Sequence, residues 1–256
     1  MDEKFANTVH SVKTAVSTFL SELQAPKVNR EDLMEKMLVE REESMKSRAA
    51  YIIKAFSSEP SGDIVGDYLK GVDPKSITVE RLTLSDNQGT HIDVVAKIPG
   101  RNSGPDILLV PNSNIADAMC DLGTGTAGGA CYSPEGVDNR EKSIVVRTSG
   151  LDLSAPGLEY YKYEKGTEIA HELQHFKNRN LSLTDGADEV SAFRKECEYL
   201  LSHKQKPPFE NDMAILQYIS DSKAYDDNTL KEAIAYVVNG SESDHLKVMA
   251  DLKKRK

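Results

Sequence analysis

Apolar positions along this chain recur first at helical spacing, then in alternation, then at helical spacing again. In the opening stretch Phe5, Val9, Val12, Val16, Phe19 and Leu23 are separated by gaps of four and three, the spacing of a helix-packing seam. Ala25 and Pro26 interrupt it, and a second helical pattern runs over 29–56 through Leu33, Met37, Ala49, Ile52 and Phe56. The seam is too short to demand a coiled-coil dimer, so an intramolecular helical hairpin is expected. A turn at 57–62 and one more short helix at 63–72 complete this part. After Asp73 and Pro74 the period changes. Ile77, Val79, Leu82 and Leu84, then Ile92, Val94, Val95 and Ile98, form β-rich runs on either side of Asp86, Asn87, Gln88 and Gly89, a hairpin signal. Residues 107–110 read as a third strand closed by Pro111, and 143–148 as a fourth. Beyond Pro207 and Pro208 helical spacing returns in three pieces, 214–220, 230–238 and 244–253. The expected class is therefore α+β, with a helical N-terminal region at 1–72 and a mixed domain at 73–256.

Between the strands and the C-terminal helices lies the stretch with the most chemistry in it. His171, Glu172 and His175 form H-E-x-x-H. On a helix, residues four apart lie one above the other, so both imidazoles can reach one metal ion. The glutamate is rotated by about one residue, close enough to take a proton from water at that metal. Thr167 is a plausible N-cap for a helix over 167–179, and Ile169, Leu173 and Phe176 make an apolar stripe directed away from the histidines. Such a helix buries one face and presents the other to a cleft.

A hydrolytic zinc has three protein ligands and keeps a fourth position for water. The extended motif with a third histidine needs Gly and His where Asn178 and Leu181 stand, so the remaining ligand must be a carboxylate further along. After a turn-rich stretch at 180–188, residues 189–203 read as a helix. Val190, Phe193, Cys197, Leu200 and Leu201 share its buried arc, and Ser191, Arg194, Lys195 and Glu198 lie opposite. Glu189 and Glu196 both sit at the edge of the apolar arc, where a carboxylate costs solvation unless something pairs with it. Glu189 is favoured as the ligand, because a helix folding back brings its first turn closest to His175. Glu196 is the alternative. Asp185 and Asp188 are weaker candidates, read as N-capping residues. A donor to a developing oxyanion is unranked among Tyr218, Tyr225, Tyr236 and His203.

Residues 167–201 resemble the paired active-site helices of gluzincin metallopeptidases. The resemblance implies His171 and His175 as metal ligands, Glu172 as general base and Glu189 as the glutamate ligand in an E-x-x-A context. It also implies one catalytic Zn2+ and a zincin-like small mixed sheet whose edge strand, here 143–148, takes an extended peptide. A weaker similarity, carried by the Gly-rich, tyrosine-containing stretch before the motif, is to bacterial effector metalloproteases injected into host cells. It implies secretion without a cleavable signal peptide as the alternative to a cytoplasmic location.

Composition narrows the classes. In 256 residues, 39% are hydrophobic and 29% charged, and the net charge of −9 argues against a nucleic-acid partner. No apolar run approaches the roughly 20 residues of a membrane span. Cys120, Cys131 and Cys197, odd in number and far apart, argue for a reducing compartment and against a disulfide framework. Gly123, Gly125 and Gly128 match G-x-G-x-x-G but no strand precedes them and no helix can open at Pro134, so no dinucleotide site is expected. The basic run from Lys253 to Lys256 reads as a helix end complementing the dipole. The leading expectation is a zinc metallopeptidase acting on a protein or peptide. The alternative is a non-catalytic helical interaction protein carrying a coincidental or degenerate motif.

Overall fold

The computed structural model describes residues 29–57, 63–86, 89–101, 104–111, 115–116, 119, 130–133, 143–148 and 155–255. The N-terminal seam from Phe5 to Leu23 and the glycine-rich loop at 123–128 lie outside them. The chain divides into two compact units, 1–41 and 42–256. The described part of the first is the N-terminal portion of helix α1, Arg30–Ser57, on which Leu33, Met34 and Met37 are exposed.

The larger unit is α+β. After α1 come α2 (Ile64–Leu69), a single 3-10 turn (Pro74–Ser76) and the strands β1 (Thr78–Asp86), β2 (Gly89–Ile98), β3 (Asp106–Val110), β4 (Ala130–Ser133) and β5 (Ser143–Arg147). The helices α3 (Ala155–Asn178), α4 (Asp185–Ser202), α5 (Asp212–Asp221), α6 (Asp227–Val237) and α7 (Glu242–Lys254) follow. Among the described residues this makes seven α-helices and one open, mixed sheet, ordered β1-β2-β3-β5-β4.

The expected hairpin is present: β1 and β2 pair antiparallel, with Asp86 opposite Gly89 and Thr78 opposite Lys97. β3 pairs antiparallel with β2 and parallel with β5. That parallel pair is apolar on both faces, because Ile107–Val110 and Ile144–Val146 are all buried. Here one expectation fails. The strand 143–148 is internal, and the edge beside it is β4, which pairs antiparallel with β5. β4 was hidden in sequence because only four residues pair and Gly129 and Pro134 bracket them. Cys131, on β4, is disulfide-bonded and Cys197 is free, so the structure holds a bridge that the cysteine spacing did not predict. Separation along the chain sets no limit on approach in space.

Residues beyond Glu42 that were read as part of a helical N-terminal region are built into the larger unit. Met45, Ala49, Ile52, Ile53 and Phe56 are buried on α1, and Val65 and Leu69 on α2. Glu42 accepts from Arg81 of β1 at 2.5 Å. Asp63 caps α2 by accepting from Val65 N at 2.9 Å, and its other oxygen faces His203 Nε2, at the end of α4, at 3.4 Å. Tyr68 donates to the Pro105 carbonyl ahead of β3.

The C-terminal helices form a second apolar cluster. Val190 and Phe193 of α4 pack with Ile215, Leu216 and Ile219 of α5, Leu230, Ala233 and Ile234 of α6, and Leu252 of α7. Gly186 lets α4 begin close to α6, since a Cβ there would lie 2.2 Å from the Thr229 carbonyl oxygen. Among the described residues no helix is long and apolar enough to cross a membrane.

Candidate metal centre

Helix α3 is twelve residues longer at its N-terminus than the apolar spacing predicts, and it packs on β4 and β5 as well as α4. Thr167 is therefore no N-cap. Its hydroxyl donates instead to the Tyr163 carbonyl one turn earlier, at 2.5 Å. Pro156 falls in the first turn, where a missing N–H is tolerated. Gly166 does not break the helix but makes room: a Cβ there would lie 2.0 Å from the Tyr199 hydroxyl of α4. Ile169 and Leu173 are buried, as the stripe required.

Helix α4 starts at Asp185, capped by Thr184, which accepts from Ala187 N. Asp185 and Asp188 are thus first-turn acids rather than caps. Tyr199 joins the buried side, while Leu201 is 59% exposed, contrary to the expected arc. The helix was registered one turn too late in sequence, because Thr184 and the small residues Gly186 and Ala187 carry no apolar periodicity.

Antiparallel packing of α3 and α4 brings the candidate ligands together. His171, His175 and Glu189 form a group able to hold a metal ion, with their ligand atoms all within 4.8 Å of one another. Nε2 of His171 and Nε2 of His175 are 2.9 Å apart. Glu189 Oε2 is 3.7 Å from the first and Oε1 3.7 Å from the second. A tetrahedral zinc with bonds of about 2.0–2.1 Å separates its ligands by roughly 3.3–3.4 Å, within the span of these distances.

The opposite ring nitrogens are also held. His171 Nδ1 is hydrogen-bonded with Glu196 Oε1 at 2.6 Å, and His175 Nδ1 with Asp188 Oδ2 at 2.8 Å. When Nδ1 carries the proton on both rings, the two Nε2 lone pairs face each other, and a cation between them satisfies both. Asp188 is anchored in turn by Asn178 Nδ2 at 2.6 Å, and Gln174 joins Asn178 to Ser191. Tyr225, from the α5–α6 connection, donates to Glu189 Oε2 at 2.9 Å. Ligands whose second atoms are fixed in this way are characteristic of metal sites. The donor set fits zinc.

The charges follow. Burial pulls His175 down, but its bond to Asp188 and the carboxylates of Glu189 and Glu172 outweigh that and raise it to about 9. Burial holds His171 below its ordinary value. Burial pushes Glu196 up to about 8 and Glu168, one turn before His171 and bound by Lys165 Nζ at 2.9 and 3.0 Å, up to about 7. Glu172 is buried, and its charge acts on both histidines.

Of the two carboxylates weighed in sequence, Glu189 therefore faces the Nε2 atoms and Glu196 the back of His171. Asp188, read as a cap, holds His175, and Asp185 is exposed with no role in the cluster. The signal for Asp188 was its place beside Glu189, and the antiparallel packing supplies the rest: His171 meets Glu196 late in α4, and His175, one turn further along α3, meets Asp188 in the first turn of α4. Among the four unranked residues, Tyr225 is committed to Glu189, and Tyr236 lies under the Arg194 guanidinium at 5.2 Å. His203 is buried against Asp63, with Nδ1 donating to the Tyr199 carbonyl at 2.8 Å. Tyr218 packs edge-on against Phe193. No protein-family model matches this chain, and no match was found among curated proteins or solved structures.

Proposed function

We propose that the protein is a zinc-dependent metallopeptidase. The observation that carries this reading is the convergence of Nε2 of His171, Nε2 of His175 and the Glu189 carboxylate, each held from behind by a hydrogen-bonding partner, beside a buried glutamate one residue from a ligand. His171, His175 and Glu189 would hold a zinc ion, which when bound would supply a Lewis acid to polarise a carbonyl and lower the pKa of water from about 16 towards 7. Glu172 takes the proton of the attacking water on its carboxylate and passes it to the leaving amine. Asp188 and Glu196 keep the two Nδ1 atoms protonated, so that both Nε2 lone pairs stay directed at the ion. Tyr225 fixes the rotamer of Glu189. The edge strand β4, which packs beside α3, offers backbone groups to an extended peptide.

Glu172→Gln keeps the shape of the side chain and removes the base. Cleavage of a peptide library, read by mass spectrometry, is expected to fall by about 10²–10⁴-fold while zinc content is unchanged. Cleavage at the wild-type rate by this variant contradicts the assignment.

A further inference from the structure

The two histidines are held differently from behind. Glu196 makes no hydrogen bond among the described residues other than the one with His171. Asp188 is the end of a chain. Its Oδ1 accepts from Asn178 Nδ2 at 2.6 Å, and Asn178 Oδ1 accepts from Gln174 Nε2 at 2.7 Å. The same Gln174 nitrogen donates to Ser191 Oγ at 3.2 Å. Asn178 is buried, so a lost partner there is not replaced by water at small cost.

Such a chain has a direction. Each amide donates at one end and accepts at the other. Gln174 presents its NH2 group, so Asn178 turns its oxygen to Gln174 and its nitrogen to Asp188. A hydrogen bond donated to Asp188 Oδ1 favours the carboxylate, whose other oxygen then also accepts. The ring nitrogen facing that oxygen, His175 Nδ1, carries the proton, and the lone pair falls on Nε2.

The geometry points to Gln174 and Asn178 as positioning residues whose amides set the direction of the hydrogen bond between Asp188 and His175, and so turn the Nε2 lone pair of His175 towards the metal. The assignment rests on the metal-binding part of the reading above and names what governs one of its ligands. A carboxylate-to-amide exchange behind each histidine exposes the difference. Glu196→Gln is free to turn its oxygen to His171, because no neighbouring amide dictates its orientation. Asp188→Asn cannot do the same without setting its NH2 group against that of Asn178. It accepts from Asn178 and donates to His175 Nδ1, which moves the ring proton to Nε2. Adding Asn178→Asp reverses this: the new carboxylate accepts both from Gln174 and from the new amide at 188, whose oxygen again faces His175 Nδ1.

The test measures zinc affinity of the full-length protein by competition with a chelator. Asp188→Asn is expected to weaken binding by about 10–100-fold, and Glu196→Gln by less. Asn178→Asp alone should also weaken it, since two carboxylates then face each other. The double variant Asp188→Asn with Asn178→Asp should recover at least about tenfold over Asp188→Asn, a non-additive result that independent structural roles do not give. In the zinc-loaded wild type and double variant, nitrogen-15 NMR of the imidazole should show a proton on Nδ1 of His175. A double variant that binds no more tightly than Asp188→Asn overturns the proposal. Equal losses in Glu196→Gln and Asp188→Asn overturn it too, as does a zinc-loaded His175 without a proton on Nδ1. If the wild type binds no zinc, the metal centre fails and this assignment with it. Zinc binding by the wild type without recovery in the double variant sinks only the amide pair.

Discussion

The two ends of the α3–α4 pair are held by different physics, with the donor set between them. At the end nearest the connecting turn the helices are joined by polar contacts: Asn178 to Asp188, Asp188 to His175, and Gln174 to Ser191. At the far end they are joined by shape. Gly166 faces Tyr199 with no room for a methyl group, and Tyr199 in turn lies beside the His203 ring at 4.5 Å. The polar end answers to charge and so to pH and metal. The shaped end answers first to volume. The donor set between them inherits its position from the second and its hydrogen-bonded partners from the first.

The largest expected effect comes from breaking the shaped end. Gly166→Ala should lower stability by about 1–3 kcal/mol, since a buried ring must move to admit the new carbon. Thermal unfolding measures it, and a variant as stable as wild type would show that the close approach does not fix the helix pair. Zinc affinity should fall with it, because the ligands lie on both helices.

Breaking the polar end should separate metal binding from folding. Asp188→Ala leaves His175 Nδ1 without its acceptor and is expected to weaken zinc binding by about 10–100-fold. The fold should hold, because Asp188 is only partly buried. Competition with a chelator gives the affinity, and a shift in melting temperature as large as that of Gly166→Ala would erase the contrast between the ends.

A smaller effect sharpens the same contrast through pH. His175 is raised to about 9 in the metal-free fold, Glu196 to about 8 and Glu168 to about 7. Each lies above its unfolded value, so each contributes stability present at low pH and lost as pH rises through the folded pKa. The metal-free protein should therefore lose stability progressively between about pH 4.5, where the two carboxyls begin to titrate in the unfolded chain, and about pH 9. Asp188, held low, is charged throughout that window and adds no slope. Zinc must displace the proton from His175, so its stabilisation should grow as pH rises over the same range. The gap between zinc-loaded and metal-free melting temperatures should widen from pH 6 to 8.5. A gap that narrows would contradict the assigned protonation.

Much of this was legible in the chain because periodicity and local turn chemistry carry it. The β1–β2 hairpin, the C-terminal helices and the pair of histidines on one helix face all follow from spacing alone. What was not legible depends on contacts between distant segments. Nothing local marks β4 as a strand or places it outside β5, since its pairing comes from a partner and not from its own four residues. Glu189 and Glu196 were both visible as misplaced acids, yet only the antiparallel register of α3 and α4 sends one to the Nε2 atoms and the other to Nδ1 of His171. Tyr225, from a connection 36 residues beyond Glu189, carries no local signal at all.

The central claim is that His171, His175 and Glu189 together hold zinc, and metal content per chain tests it most directly. Protein purified without added metal and dialysed at pH 7.5 should contain close to one zinc per chain by mass spectrometry of the metal. His171→Ala and His175→Ala should lose it, and Glu189→Ala should lose more than Glu196→Ala, because Glu189 is a ligand and Glu196 only positions one. A wild-type chain that neither carries zinc nor gains thermal stability when zinc is added would contradict the account, and a greater loss in Glu196→Ala than in Glu189→Ala would contradict its choice of third ligand.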